Sequence, residues 1–202
     1  MTLSRVVLWR HGQTVHNATD RWQGHLDSQL TELGREQAAA AVPALSTLEP
    51  TLVVSSDLQR AAETARTFTE ATGVRLRIDK RLRETDIGEW QGASSTEIEQ
   101  RYPGALRTWR SDPTWAPPGG ESKVEVAARA AEVVAELDVE VEGTVLLCAH
   151  GGLITAAIGQ LLGLPLSAWP QLGGHGNCHW SILGRRPGDD GRWRLVSYNL
   201  QA

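Results

Sequence analysis

Three short segments carry residue types suited to one kind of chemistry: Arg10-His11-Gly12-Gln13-Thr14, Ser56-Asp57-Leu58-Gln59-Arg60 and His150-Gly151-Gly152. The planar guanidinium of arginine binds two phosphoryl oxygens at once and stays charged, so Arg10 and Arg60 can clamp one phosphate between them. An unperturbed imidazole titrates near about pH 6.5, and neighbouring arginines disfavour its cation. A neutral His11 is then a competent nucleophile toward phosphorus. His150 can donate to a phosphoryl oxygen and stabilise charge in the transition state. The chemistry in view is phosphoryl transfer.

For side chains so distant in sequence to meet, several strand ends must share one rim. Val6 to Trp9, Leu52 to Ser55 and Thr144 to Ala149 are nearly continuous apolar runs, as in strands buried on both faces of a parallel sheet, and each runs directly into one of the three segments. Ligands in such sheets bind outside the carboxyl ends of the strands. Val74 to Ile78 reads as a further strand, and Met1 to Arg10 as the segment that contains the first. Helical patterns fall between them, over Glu32 to Leu48, Leu58 to Thr72, Val124 to Leu137 and Leu153 to Leu162, and the alternation implies an α/β sandwich.

Ser94 with Glu97 and Ser122 with Glu125 have capping-box spacing. Asp57 can cap the helix that carries Arg60, and His150 precedes two glycines that open another, so two helix N-termini would add donors for an anion. Pro43 is expected to bend or end the first long helix. His179 to Leu183 and Trp193 to Tyr198, around Pro187-Gly188-Asp189-Asp190-Gly191, read as a hairpin or returning strand that makes the sheet mixed.

Composition narrows the class. With 202 residues, 41% hydrophobic and 22% charged, residues 1–202 are expected to form one soluble domain. A net charge of -4 without a basic stripe argues against nucleic acid as a partner. The apolar start is too short for a signal peptide or a membrane span, and Cys148 and Cys178 read as free thiols, so a cytoplasmic location is expected. Eight tryptophans stand against one Phe and two Tyr, and several fall in loops, where they pack or wall a ligand. His16, His25, His175 and His179 read as surface or satisfied structural histidines, and no metal site is expected from them.

Arg-His-Gly-x-Thr followed by Asn, here Arg10 to Thr14 with Asn17, resembles the signature of the histidine phosphatase superfamily, also called the phosphoglycerate mutase-like family. The resemblance runs from Val6 to about Tyr198 and implies a three-layer α/β/α sandwich with a mostly parallel central sheet. It implies that His11 is phosphorylated, that Arg10, Arg60 and His150 surround the phosphate, and that Asn17 lies at its edge. The proton donor of the family matches Glu84 in Arg83-Glu84-Thr85-Asp86-Ile87-Gly88-Glu89-Trp90-Gln91-Gly92, with Asp86 and Glu89 as the alternatives. A carboxyl group beside a phosphate dianion keeps its proton more readily and can pass it to a leaving alcohol. Gln23, Gly24 and Gly151 fall where members contact substrate. No cofactor is implied; the partners implied are a small phosphate ester and a second copy of the chain.

Two reactions are common on this scaffold, hydrolysis of a phosphomonoester and the mutase reaction on a phosphoglycerate. Glu84 to Glu121 is compact and carries the phosphatase-like Gly-x-Trp-x-Gly pattern, which favours hydrolysis. Leu82 to Gly92, Thr114 to Ser122, Ala149 to Ile154 and Trp169 to Asn177 are similar to the branch that acts on glucosyl-3-phosphoglycerate, and a substrate with sugar and carboxylate would suit tryptophans such as Trp115 on a pocket wall. A catalytically inactive phospholigand-binding regulator is the third reading, and its expected sign, a missing catalytic residue, does not occur.

Overall fold

Each of the three central strands alternates the face to which its side chains point. Val6 and Leu8 of β1 (Leu3–Arg10), Leu52 and Val54 of β2 (Pro50–Ser55), and Val145, Leu147 and Ala149 of β4 (Gly143–Ala149) enter one buried cluster. Val7, Trp9, Val53, Leu146 and Cys148 enter another on the opposite face. A strand apolar at every position must be covered twice, which is what the helices do. The computed structural model describes residues 3–185 and 191–202.

The sheet has the order β3-β2-β4-β1-β5-β6, with β3 at Leu76–Ile78, β5 at Trp180–Gly184 and β6 at Arg194–Leu200. Strands β1, β2, β3 and β4 run parallel; β5 is antiparallel to both β1 and β6, so it alone is reversed. One face is covered by α6 (Lys123–Glu140) and α7 (Gly151–Leu161), the other by α2 (Glu32–Ser46) and α3 (Gln59–Thr72). This is the three-layer, mostly parallel sandwich that the resemblance implied. Of the expected Pro187 to Gly191 segment, Pro187 to Asp190 lie outside the described residues.

Helix α2 continues past Pro43 to Ser46, so Pro43 does not end it. Pro43 and Ala39, whose carbonyl loses its helical donor, are both exposed, which lowers the cost of that loss, while Ala41 and Leu45 pack inward and hold the last turn. Both capping boxes form, at the start of α4 (Ser95–Arg101) and of α6. A third, formed by Thr14 and Asn17, starts the short α1 (Val15–Ala18).

Helices α4 and α5 (Ala105–Ser111) build a small lobe with Ile87, Trp90, Ile98 and Leu106 as its buried centre and Trp22, Trp109 and Trp115 packed on it. Gly88 lets the 118–120 segment close against it, because a Cβ there would lie 2.1 Å from the Pro118 carbonyl oxygen.

Candidate active site

Parallel pairing sets the first two residues side by side. Arg10 is in register with Ala149, and the ladder continues one step as His11 N–H donates to the Ala149 carbonyl at 3.1 Å. His11 and His150 therefore leave adjacent strand ends, with ring centroids 5.1 Å apart. On the other side of β4, Ser56 N–H donates to the Cys148 carbonyl at the same level, and the first turn of α3 then brings Arg60 to His150, Nε to Nδ1 at 3.2 Å.

These contacts decide two tautomers. The Nδ1 of His11 lies 2.7 Å from the Gly12 carbonyl oxygen. A carbonyl only accepts, so Nδ1 carries the proton and Nε2 keeps its lone pair. At His150 the arginine only donates, so Nδ1 accepts and Nε2 carries the proton. Burial, then Arg60 and Arg10, push His11 well below the ordinary imidazole range; burial, then Arg60, do the same to His150. The result is one neutral ring with a free lone pair beside one neutral ring with a free N–H.

Arg60 is 1% exposed, and its Nη1 and Nη2 donate to the carbonyls of Leu26 and Gly24, each at 2.8 Å. Burial lowers it to about 10, which still leaves it charged at neutral pH. Arg10 donates from Nη1 to the His175 carbonyl at 2.6 Å. Four buried polar atoms around this rim have no protein partner: Arg10 Nε, Thr85 Oγ1, His150 Nε2 and His175 Nδ1. Unpaired buried donors are costly, and four together suit an oxygen-rich ligand.

Arg10, His11, Asn17, Gln23, Gly24, Arg60, Glu84 and Gly151 line a single cavity of about 620 Å³. His150 is fully buried and is not among the lining residues; it meets the site through Arg60 and through the ring of His11. Asn17 Oδ1 accepts from Thr14 N–H at 3.2 Å and from Asn177 Nδ2 at 3.1 Å, which leaves its NH2 group for a ligand. Gln23 Oε1 accepts from the Thr14 hydroxyl at 3.1 Å. Of the three acids between Glu84 and Glu89, only Glu84 reaches the cavity; Asp86 faces His25 at 3.7 Å and Glu89 bonds to Tyr102.

Several sequence expectations need correction. Asp57 does not cap α3: its carboxylate pairs with Arg83 at 2.6 and 2.7 Å, and Asp27, from a distant loop, accepts from Gln59 N–H instead. The α7 N-terminus is also occupied, since Gly152 and Leu153 N–H both donate to Glu84. Trp115 packs on Trp90 with ring centroids 5.6 Å apart, whereas Trp22 and Trp109 line the cavity. His175 is not satisfied, because Ser181 bonds Nε2 at 2.6 Å but Nδ1 has no partner, and it lines the cavity, as does His16. His25 and His179 are bonded within the fold, to the Glu84 carbonyl and to Asn199.

Other positioning residues escaped sequence reasoning. Gly34 approaches the Gly12 segment so closely that a Cβ on Gly12 would lie 2.3 Å from the Gly34 carbonyl oxygen. Arg129 donates to the carbonyls of Arg81, Arg83 and Glu84 and so fixes the loop that carries Glu84. Asn177 ties the His11 carbonyl to Asn17. Among the described residues no group of His, Cys, Asp and Glu is arranged to hold a metal ion, and no helix is long and apolar enough to cross a membrane.

The buried histidines set an acid limit on stability. Burial also depresses His175, to about 4. In the unfolded chain all three titrate near about 6.5, so below that pH the unfolded state binds more protons and stability falls as pH drops. For His175 the loss runs from about 6.5 down to about 4. Urea unfolding at pH 7, 6 and 5 is expected to show stability falling by as much as roughly 1.4 kcal/mol per pH unit per histidine. The fall should be smaller in a His175→Gln protein, and a flat profile would contradict the assignment of neutral rings.

The family model described as histidine phosphatase superfamily (branch 1) matches residues 6–201. The chain is 49% identical to glucosyl-3-phosphoglycerate phosphatase of Mycobacterium tuberculosis (strain ATCC 25618 / H37Rv), over 100% of this chain and 97% of that protein. It superposes on a mycobacterial glucosyl-3-phosphoglycerate phosphatase solved in complex with VO3 with a TM-score of 0.92 and 50% identity, covering 98% of this chain and 100% of the other. Bacillus stearothermophilus YhfR superposes with a TM-score of 0.89 at 30% identity, with 98% of each chain covered.

Proposed function

Since the chain belongs to the histidine phosphatase superfamily, branch 1, we propose that it is a phosphomonoesterase that works through a phosphohistidine on His11 and acts on glucosyl-3-phosphoglycerate. The observation that carries the mechanism is the pair of opposed tautomers: His11 offers an Nε2 lone pair and His150 an Nε2 proton on neighbouring strand ends.

The reaction divides into two balanced steps. His11 Nε2 attacks phosphorus, the ester P–O bond breaks, and Glu84 gives its proton to the departing alkoxide. Arg10, Arg60, the Nε2 proton of His150 and the Asn17 amide hold the remaining oxygens, with Gln23, Gly24 and Gly151 at the rim. Glu84, now a carboxylate, takes a proton from water as that water attacks the phosphohistidine, and the P–N bond breaks to return His11 Nε2 and release inorganic phosphate. No step requires a cofactor.

Substrate identity rests on the similarity to the mycobacterial phosphatases and on the form of the cavity. Trp22, Trp109, Ser94, Ser95 and Thr96 line it along with the phosphate-binding residues, an apolar and hydroxyl-bearing wall suited to a sugar. A cytoplasmic homodimer is part of the same reading, supported by the free Cys148 and Cys178 and by Leu195 and Val196 exposed on edge strand β6; a dimeric mass in light scattering is its check. The main experiment is phosphorus NMR with glucosyl-3-phosphoglycerate and, separately, with bisphosphoglycerate-primed 3-phosphoglycerate. Rapid inorganic phosphate from the first is expected. Conversion of 3- to 2-phosphoglycerate without phosphate release would make the protein a mutase.

A further inference from the structure

The Glu84 carboxylate does not hang free in the cavity. Its Oε2 accepts from Gly152 N–H at 3.1 Å, and its Oε1 accepts from Leu153 N–H at 3.0 Å and Thr85 N–H at 2.8 Å. Its own carbonyl is pinned by Arg129 Nη2 and His25 Nε2, both at 2.8 Å. The first-turn N–H groups of a helix lack internal partners and carry the positive end of its dipole, so a carboxylate is the natural group to fill them.

Gly152 has an ordinary helical backbone, outside the left-handed region, and glycine weakens a helix relative to alanine. Conformation therefore gives no reason for glycine here. Sterics do: a Cβ on Gly152 would lie 2.6 Å from Glu84 Oε1 and 3.0 Å from Thr85 Oγ1. At the preceding Gly151 the nearest atom, Arg10 Nε, would be 3.4 Å away, an ordinary contact.

We propose that Gly152 is a positioning residue for proton transfer: with the Leu153 amide it seats the Glu84 carboxyl group against α7, and only a hydrogen at its α-carbon leaves room for that seat. The inference rests on the reading of Glu84 as proton donor. Both half-reactions use the same carboxyl group, first toward the leaving oxygen and then toward water, so a fixed seat serves both. A methyl group at position 152 pushes the carboxyl group off the first turn and away from the leaving oxygen.

The test compares wild type, Gly152→Ala, Glu84→Gln and the double variant by kcat/KM, with glucosyl-3-phosphoglycerate and with 2,4-dinitrophenyl phosphate, whose leaving group departs unprotonated. Gly152→Ala is expected to lose roughly 30-fold or more on the alkyl ester and less than about 3-fold on the aryl ester. The double variant should lose no more on the alkyl ester than Glu84→Gln does. Equal losses on both esters, or a loss that multiplies that of Glu84→Gln, overturn the proposal. If Glu84→Gln itself does not distinguish the esters, the proton-donor reading falls and the inference with it; if it does and Gly152→Ala does not, the inference alone falls. Should Gly152→Ala not fold, amide NMR of wild type and Glu84→Gln decides: the Gly152 and Leu153 amide protons are expected to move upfield on loss of the charged acceptor, and unmoved signals refute the seat.

Discussion

His11→Ala is expected to lower kcat by on the order of 10⁴-fold or more and to show none of the acid-labile phosphate that the wild-type protein is expected to acquire from substrate. The expectation follows from the lone pair at Nε2, which no neighbouring side chain supplies in the same place; His150 has its proton on Nε2 and its acceptor nitrogen turned to Arg60. The fold should survive. The bonds that tie position 11 to the sheet and to the 177–178 segment are made by its backbone: N–H to the Ala149 carbonyl, and its carbonyl to Cys178 N–H and Asn177 Nδ2. Only the Nδ1 bond to Gly12 is lost. The stability change should stay within about 2 kcal/mol, since one buried hydrogen bond and a modest cavity are set against the removal of a costly buried imidazole. Quench-and-acid labelling with circular dichroism on the same sample checks both halves. Turnover near wild type would refute the nucleophile, and a labelled His11→Ala protein would place the phosphate on another residue.

The elements that position His11 were legible because they depend on local pattern. Unbroken apolar runs at Val6 to Trp9 and Thr144 to Ala149 required a doubly covered sheet, and the residues that follow such strands fall on its carboxyl rim whatever the connections between them. The two Ser-x-x-Glu boxes were legible for the same reason, since both partners lie within one turn. What sequence did not show was settled by contacts across long separations. Asp57 has the right type and place to cap α3, yet Arg83 takes its carboxylate and Asp27 supplies the cap. Gly12 and Gly34 are needed for each other, and neither position alone hints at that. Trp115 and Trp109 sit six residues apart, and only the packing of α4 and α5 decides which of them reaches the cavity. Pro43 is the opposite case: the local rule marks a helix breaker, yet α2 runs through it at a place where Ala39 and Pro43 are both exposed.

Arg60→Lys keeps the charge and should still cost roughly 10³-fold in kcat/KM. A guanidinium has five N–H donors. Three are committed to protein acceptors, Nε to His150 and one each from Nη1 and Nη2 to the Leu26 and Gly24 carbonyls, so two remain for phosphoryl oxygens. A lysine ammonium offers three donors from a single point and cannot span His150, the 24–26 loop and the phosphate together. Its loss of reach has two separate effects. The buried Gly24 carbonyl and the carbonyl of the more exposed Leu26 lose their charged partner, which should reduce stability by about 1–3 kcal/mol. His150 also loses the donor that holds its proton on Nε2, so part of the population adopts the other tautomer and presents an acceptor to the phosphate. Nitrogen NMR of the His150 ring distinguishes the two: in wild type the protonated nitrogen should be Nε2 alone, and in Arg60→Lys both tautomers should appear. If Arg60→Lys stays within about tenfold of wild type with His150 unchanged, charge rather than donor geometry sustains the site, and the role assigned to the opposed tautomers is wrong.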